Sequence, residues 1–148
     1  MRFLLDTNIL LLFLVGNKFP ETKWPKRLKS FDKDDLNLVN KLCAQYRHIT
    51  LPNILTETSN LLDSGKKEIV PGASDLLARY AGLASEYYLP SAEVVLHPEY
   101  PGLGLTDAAI IQLADSDVTV LTVDDELWGR LTASGAKAIN IRHAKTRY

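Results

Sequence analysis

The chain is predicted to be an α/β protein, a central parallel sheet of four or five strands with helices on both faces. Two observations carry that reading. Short apolar runs alternate along the chain with longer segments whose apolar residues recur at helical spacing, the order that builds a parallel sheet with crossover helices. The chain also opens on Phe3-Leu4-Leu5, an acid at Asp6, and then the apolar run from Ile9 to Val15. That is a short buried strand followed at once by a helix, with a carboxylate at the strand's carboxyl end, the edge where open α/β sheets collect ligands.

With 148 residues, 46% hydrophobic and 24% charged, a single domain spanning 1–148 with a real core is expected. The formal net charge of −1 excludes a global basic field, so any surface for nucleic acid must be local. The single cysteine, Cys43, has no intramolecular disulfide partner and falls in a helical apolar pattern, which fits a small core residue in a reducing cytoplasm. The apolar run after Asn8 is seven residues long, too short to span a bilayer, and no small-residue cleavage site follows it. A soluble cytoplasmic protein without a targeting segment is expected.

The elements follow in order. Residues Gly16 to Ser30 hold two prolines and five basic residues and read as a loop or partly ordered insert. Within it Lys23, Lys26, Arg27 and Lys29 surround Trp24, a cluster suited to a phosphate backbone and a stacked base. A solvated loop with one packed Trp is the preferred alternative. Asp32 and Asp35 are spaced as a capping box for a second helix carrying Leu36, Val39, Cys43 and Tyr46. His48 to Leu51 is a second strand, and Pro52 opens a third helix running to about Gly65, before the polar junction Lys66-Lys67-Glu68. Ser74 caps a fourth amphipathic helix with Leu76, Leu77, Tyr80, Leu83, Ala84 and Tyr87 on its apolar face.

Val94-Val95-Leu96 is read as the third strand, and His97 to Leu105, with two prolines and two glycines, as a loop. Thr106 caps a fifth helix with Asp107 in its first turn. Asp115-Ser116-Asp117 is a turn, and Val118 to Thr122 is the clearest strand of the sequence. Asp124-Asp125-Glu126 starts a last helix that Gly135 stops. Ala138 to Ile141 is the final strand, and Arg142 to Tyr148 a basic tail.

Four acids stand out by position. Asp6 and Asp124 follow strands at carboxyl ends, Asp107 lies in a helix's first turn, and Glu57 borders the apolar face of the third helix formed by Ile54, Leu55, Thr58, Leu61 and Leu62. Taken singly, Asp6, Asp107 and Asp124 also suit helix N-termini, through capping or the macrodipole. Taken together at one sheet edge, four carboxylates repel and require raised pKa values or a bound cation. All-oxygen ligands select Mg2+ or Mn2+ over zinc.

Asp6-Thr7-Asn8 after a short first strand, Glu57 in the third helix, Leu105-Thr106-Asp107-Ala108 opening a later helix, and Thr122-Val123-Asp124 after a late strand together resemble the PIN domain. The resemblance runs in order over nearly the whole chain. It implies a ribonuclease dependent on Mg2+ or Mn2+, and in particular the toxin of a VapBC-type toxin–antitoxin pair. Residue by residue, it implies Asp6, Glu57, Asp107 and Asp124 as the catalytic acids, with Asp6, Asp107 and Asp124 holding metal. Thr7, Asn8 and Thr122 become the polar support. It further implies an RNA substrate cut to leave a 5′-phosphate, a homodimer, and a cognate antitoxin. Asp125 competes with Asp124, which is preferred for its Thr-x-Asp spacing.

Lys23, Lys26 and Arg27, with Arg142, Lys145 and Arg147, are the candidate contacts to an RNA backbone. One rival reading is a catalytically inactive PIN-like module that binds RNA or protein. A phosphatase with Asp6 as nucleophile is disfavoured, because a second acid is expected two residues on, where Asn8 stands. Zinc is disfavoured too, since His48, His97 and His143 are scattered and one cysteine offers no ligand cluster. Gly102-Leu103-Gly104 is too short to read as a phosphate loop.

Overall fold

The computed structural model describes residues 1–62 and 70–145. Its sheet comprises β1 (Arg2–Leu5), β2 (Arg47–Thr50), β3 (Ser85–Glu86), β4 (Val118–Thr122) and β5 (Lys137–Asn140). The strands lie in the order 3-2-1-4-5, and all neighbours are parallel. The chain leaves β1 towards β2 and β3, then returns to build β4 and β5 on the other side. The direction of winding therefore reverses between β1 and β4, and connections diverging from such a point leave a crevice at the strands' carboxyl ends.

Nine helices among the described residues flank the sheet: α1 (Thr7–Lys18), α2 (Lys33–Cys43), α3 (Pro52–Leu62), α4 (Ala73–Leu83), α5 (Ser91–Val94), α6 (Tyr100–Leu103), α7 (Leu105–Leu113), α8 (Asp125–Ala133) and α9 (Ile141–Ala144). The result is a three-layer α/β/α fold, as the alternation of elements predicts. Helix α1 packs against α2, α3 and α4, while α7 packs against α8. Ile9, Leu10, Leu11, Leu12, Leu14 and Val15 are all buried, which explains why α1 is apolar almost all round. Gly16 permits the close approach of α2, since a Cβ there would meet Leu36 Cδ1 at 3.0 Å. No helix among the described residues is long and apolar enough to cross a membrane.

Several local expectations hold. The Asp32–Asp35 capping box forms in both directions, with bonds of 3.0 and 2.8 Å. Cys43 is buried, and burial pushes its thiol up to about 12, consistent with a core role. Gly135 takes the left-handed conformation after α8.

Others are corrected. Val94-Val95-Leu96 is not a strand. Val94 ends α5, and Val95 and Leu96 are 39% and 80% exposed. The third strand is instead the two-residue β3, imposed by pairing to β2 rather than by its own propensity. The span His97–Leu105 is not one loop, because it holds α6 and the first residue of α7. Gly72, not Ser74, precedes α4, and Leu83 is 88% exposed rather than packed. Helix α2 stops at Cys43, so Tyr46 lies beyond it, against the Phe3 ring at 4.6 Å. Helix α8 is followed by one more short helix, α9, which takes up the start of the basic tail. The expected end of the third helix near Gly65, the junction Lys66-Lys67-Glu68, and Arg147 lie outside the described residues.

The insert is more ordered than a loop. Gly16 to Lys18 belong to α1, and 3-10 turns form at Glu21–Lys23 and Lys26–Leu28. Trp24 is 3% exposed and its indole N–H donates to the Phe19 carbonyl at 3.0 Å, so it is a core residue and stacks no base.

Gly104 joins α6 to α7 at φ 90° and ψ 178°, a conformation essentially reserved for glycine. It sets the direction in which α7 starts. Gly104→Ala is expected to cost about 1–3 kcal/mol, seen as a lower midpoint in equilibrium urea unfolding. An unchanged midpoint would show that the backbone relaxes there without strain.

Candidate functional site

The reversal between β1 and β4 fixes the first two acids. Leu5 pairs with Leu121, and the Asp6 N–H donates to the Leu121 carbonyl at 3.0 Å, which sets Asp6 beside Thr122. The Thr122 hydroxyl is completely buried and donates to Asp6 Oδ2 at 2.8 Å. It also accepts the Asp124 N–H at 3.0 Å. Asp124 in turn caps α8, its Oδ1 accepting the N–H groups of Glu126 and Leu127 at 2.9 and 3.0 Å. Asp6 occupies the equivalent place before α1, accepting the Thr7 N–H at 2.8 Å. The capping residues are thus also candidate site residues.

Helix α3 supplies Glu57 from the other wall. Its Oε2 accepts from the Thr7 hydroxyl at 2.9 Å, and its Oε1 from the Thr106 hydroxyl at 2.5 Å. The sequence pattern predicts Thr106 as the cap of its own helix. Gly104 precedes α7 instead, and the Thr106 side chain is turned across to α3. That partnership has no sequence signal beyond a threonine next to Asp107. Asp107, in the first turn of α7, is half-buried and has no hydrogen-bond partner among the described residues.

All four acids line one cleft of about 340 Å³. Thr7, Asn8 and Arg27 line it too, as do Leu61, from the helix face that Glu57 borders, and Asn60, which pattern alone does not single out. Arg27 Nε donates to Asn8 Oδ1 at 3.1 Å. Asp125 is directed elsewhere, accepting from Asn140 Nδ2 and facing His143 Nε2, both at 2.9 Å. Asp124 is therefore the acid of that pair that reaches the cleft.

The basic candidates separate. Of Lys23, Lys26 and Arg27, all exposed, Arg27 alone lines the cleft. Arg142 donates to Ser30 Oγ at 3.2 Å and lies over the Phe31 ring, and Lys145 bridges Asp32 and Asp35 at the start of α2. Those two side chains are engaged with the segment around the start of α2 and do not line the cleft.

Burial is the largest cause raising the Asp6 pKa, opposed by its bonds from Thr122 and Thr7 and reinforced by the charges of Asp124 and Glu57. Asp107 is pushed up to about 7, first by burial and then by the charges of Asp6, Asp124, Glu57 and Glu126. Among the described residues no three His, Cys, Asp or Glu side chains are already gathered as a metal cage. Asp6, Glu57 and Asp124 instead spend oxygens on the hydrogen bonds that orient them. The donor set fits Mg2+ or Mn2+ in kind, being wholly carboxylate oxygen, with Asp107 as a carboxylate that has no hydrogen-bond or ion-pair partner among the described residues.

No protein-family model matches the chain, and no curated protein matches it in sequence.

The raised carboxyls bind protons more tightly folded than unfolded, so the stability they contribute is present below the ordinary value of 3.8. It is lost as pH rises, for Asp107 through about 7. Between about pH 4 and about pH 8, calorimetry in chelator should show the wild-type melting temperature declining more steeply with pH than that of Asp107→Asn. Added Mn2+ should offset the difference. Parallel pH profiles for the two proteins would contradict this account of Asp107.

Proposed function

We propose that the chain is an endoribonuclease of the PIN type, dependent on Mg2+ or Mn2+. One observation carries the reading: four carboxylates from four separated segments, Asp6, Glu57, Asp107 and Asp124, line a single cleft at the reversal point of a parallel sheet. Asp6 and Asp124 meet because they cap helices that follow paired parallel strands, but Glu57 lies inside α3 and Asp107 makes no capping bond among the described residues, so capping alone does not gather four acids. The order of the motifs along the chain, which resembles that of PIN domains, supports the choice of reaction.

In this reading Asp6, Asp107 and Asp124 hold the cation. When bound, it lowers the pKa of a water and offsets charge developing on the phosphate. Thr122 joins the Asp6 and Asp124 segments, and Thr7 and Thr106 orient Glu57, which would direct an attacking water. Arg27 contacts the phosphate from the α1 side, with Lys23 and Lys26 further along the same exposed segment. A toxin role in a VapBC-type pair, an antitoxin partner, a homodimer and a cytoplasmic location belong to the same proposal and rest on the resemblance.

Incubation of the protein with RNA and Mn2+ should give endonucleolytic products ending in 5′-phosphates. Asp6→Asn should lower the rate by at least about 100-fold, the scale of a lost catalytic carboxylate, while the protein still melts cooperatively. Thr122→Val keeps the shape and removes the shared hydroxyl, and should weaken Mn2+ binding by about 10- to 100-fold in calorimetric titration. RNA binding without cleavage in any divalent cation would instead favour the inactive binding module, and cleavage by Asp6→Asn at the wild-type rate would rule out this mechanism.

A further inference from the structure

A second, larger groove of about 860 Å³ adjoins the acidic cleft, and Glu57 and Asp107 belong to the walls of both. It lies between the first turn of α3, the segment after β3, and the start of α7. Apart from those two shared acids, none of its described lining residues carries a charge. Its walls are instead apolar surface from Leu89 and Leu103, the ring of Tyr88, and the polar side chains of Asn53 and Ser91. Asn53 and Ser91 make no side-chain hydrogen bond among the described residues. Tyr88 is 74% exposed, an unusual state for an aromatic ring, and its hydroxyl donates to Glu86 Oε1 at 3.0 Å, which steadies the ring at the rim.

We infer that this groove is the subsite for an unpaired base of single-stranded RNA, flanking the phosphate held in the acidic cleft, with Tyr88 as its stacking platform. The inference rests on the endoribonuclease reading and extends it to substrate recognition. A phosphate has no counter-charge in the groove, whereas a flat neutral base gains contact with an exposed ring and apolar walls. Asn53 and Ser91 offer unspent donors and acceptors to the base edge. The shared wall at Glu57 and Asp107 makes the two sites continuous, so a strand with its phosphate in one lays the adjoining nucleotide in the other. A paired base cannot enter, because its edge and faces are already occupied in the duplex.

The test uses the full chain with Ca2+ in place of Mn2+, and fluorescein-labelled single-stranded RNA of about ten nucleotides, one site's worth of contacts. Anisotropy should show Tyr88→Ala weakening binding by roughly 5- to 100-fold, the range for loss of one base–aromatic stack, with Tyr88→Phe recovering most of it. With Mn2+ restored, Tyr88→Ala should slow cleavage at subsaturating RNA whatever the base, because stacking is sequence-tolerant. If the wild type binds and cleaves RNA while Tyr88→Ala retains full affinity, the subsite is refuted and the nuclease reading survives. Equal affinity for duplex RNA also refutes it. Binding that depends on Tyr88 without cleavage keeps the subsite and removes the nuclease reading. No binding of single-stranded RNA by the wild type removes both.

Discussion

The buried hydroxyl of Thr122 joins the two acids that the sheet brings to its centre. It accepts the Asp124 N–H, so its own proton is left to donate, and it donates to Asp6 Oδ2. That direction matters, because an oxygen receiving a hydrogen bond is favoured as a carboxylate, against the burial that raises the Asp6 pKa. The arrangement exists only because β1 and β4 are neighbours with Leu5 opposite Leu121. A change of register by one residue would turn Thr122 to the other face of the sheet and leave Asp6 with the Thr7 N–H alone. The strand order that makes the crevice and the hydroxyl that organises it are one constraint.

Around that pair the cleft is assembled in tension. Asp6 and Asp124 are held by backbone N–H groups at helix starts, and Glu57 by two threonine hydroxyls from α1 and α7. Each bond stabilises a charge locally without removing its repulsion from the others. Asp107 receives no such bond among the described residues, and burial first, then the charges of Asp6, Asp124, Glu57 and Glu126, push its pKa up to about 7. Two remedies exist for such a group, a proton or a cation. A proton removes the charge of the group that takes it, whereas a cation would leave all four acids charged.

What the sequence made legible follows from where local rules governed. The Val118 to Thr122 strand and the Asp32–Asp35 capping box depend on neighbours within a few residues, and both formed as read. Asp6 was legible because it directly follows an apolar strand, Asp124 because it lies two residues past the end of one, and Glu57 because it borders a helical stripe. The failures share the opposite cause. Val94-Val95-Leu96 has strand composition but follows Pro90-Ser91, which starts a short helix, and Ser85–Glu86 has no strand preference but lies against the free edge of β2. Thr106 matched a capping pattern, yet Gly104 already turned the chain into α7, which released the hydroxyl for Glu57. Contacts between distant segments leave no periodic trace, so the Thr106–Glu57 bond and the groove beside Tyr88 were visible only in three dimensions.

The basic residues show the same division, and it decides what the insert does. As a cluster around Trp24, they suit a surface for nucleic acid, against the preferred reading of a solvated loop with one packed Trp, and the Trp is indeed packed. Folding breaks the cluster, because Trp24 and Leu28 turn inward and become part of the core. Anchored at those two points, the segment can place only selected side chains, and the residue next to Leu28 is Arg27, steered onto Asn8 at the cleft mouth. Lys145 and Arg142 are drawn to Asp32, Asp35 and Ser30 and leave the cleft to Arg27, the one cation among its described lining residues. Through an anchored arm rather than a charged face, a chain with net charge −1 concentrates a positive side chain where four acids would otherwise repel any phosphate.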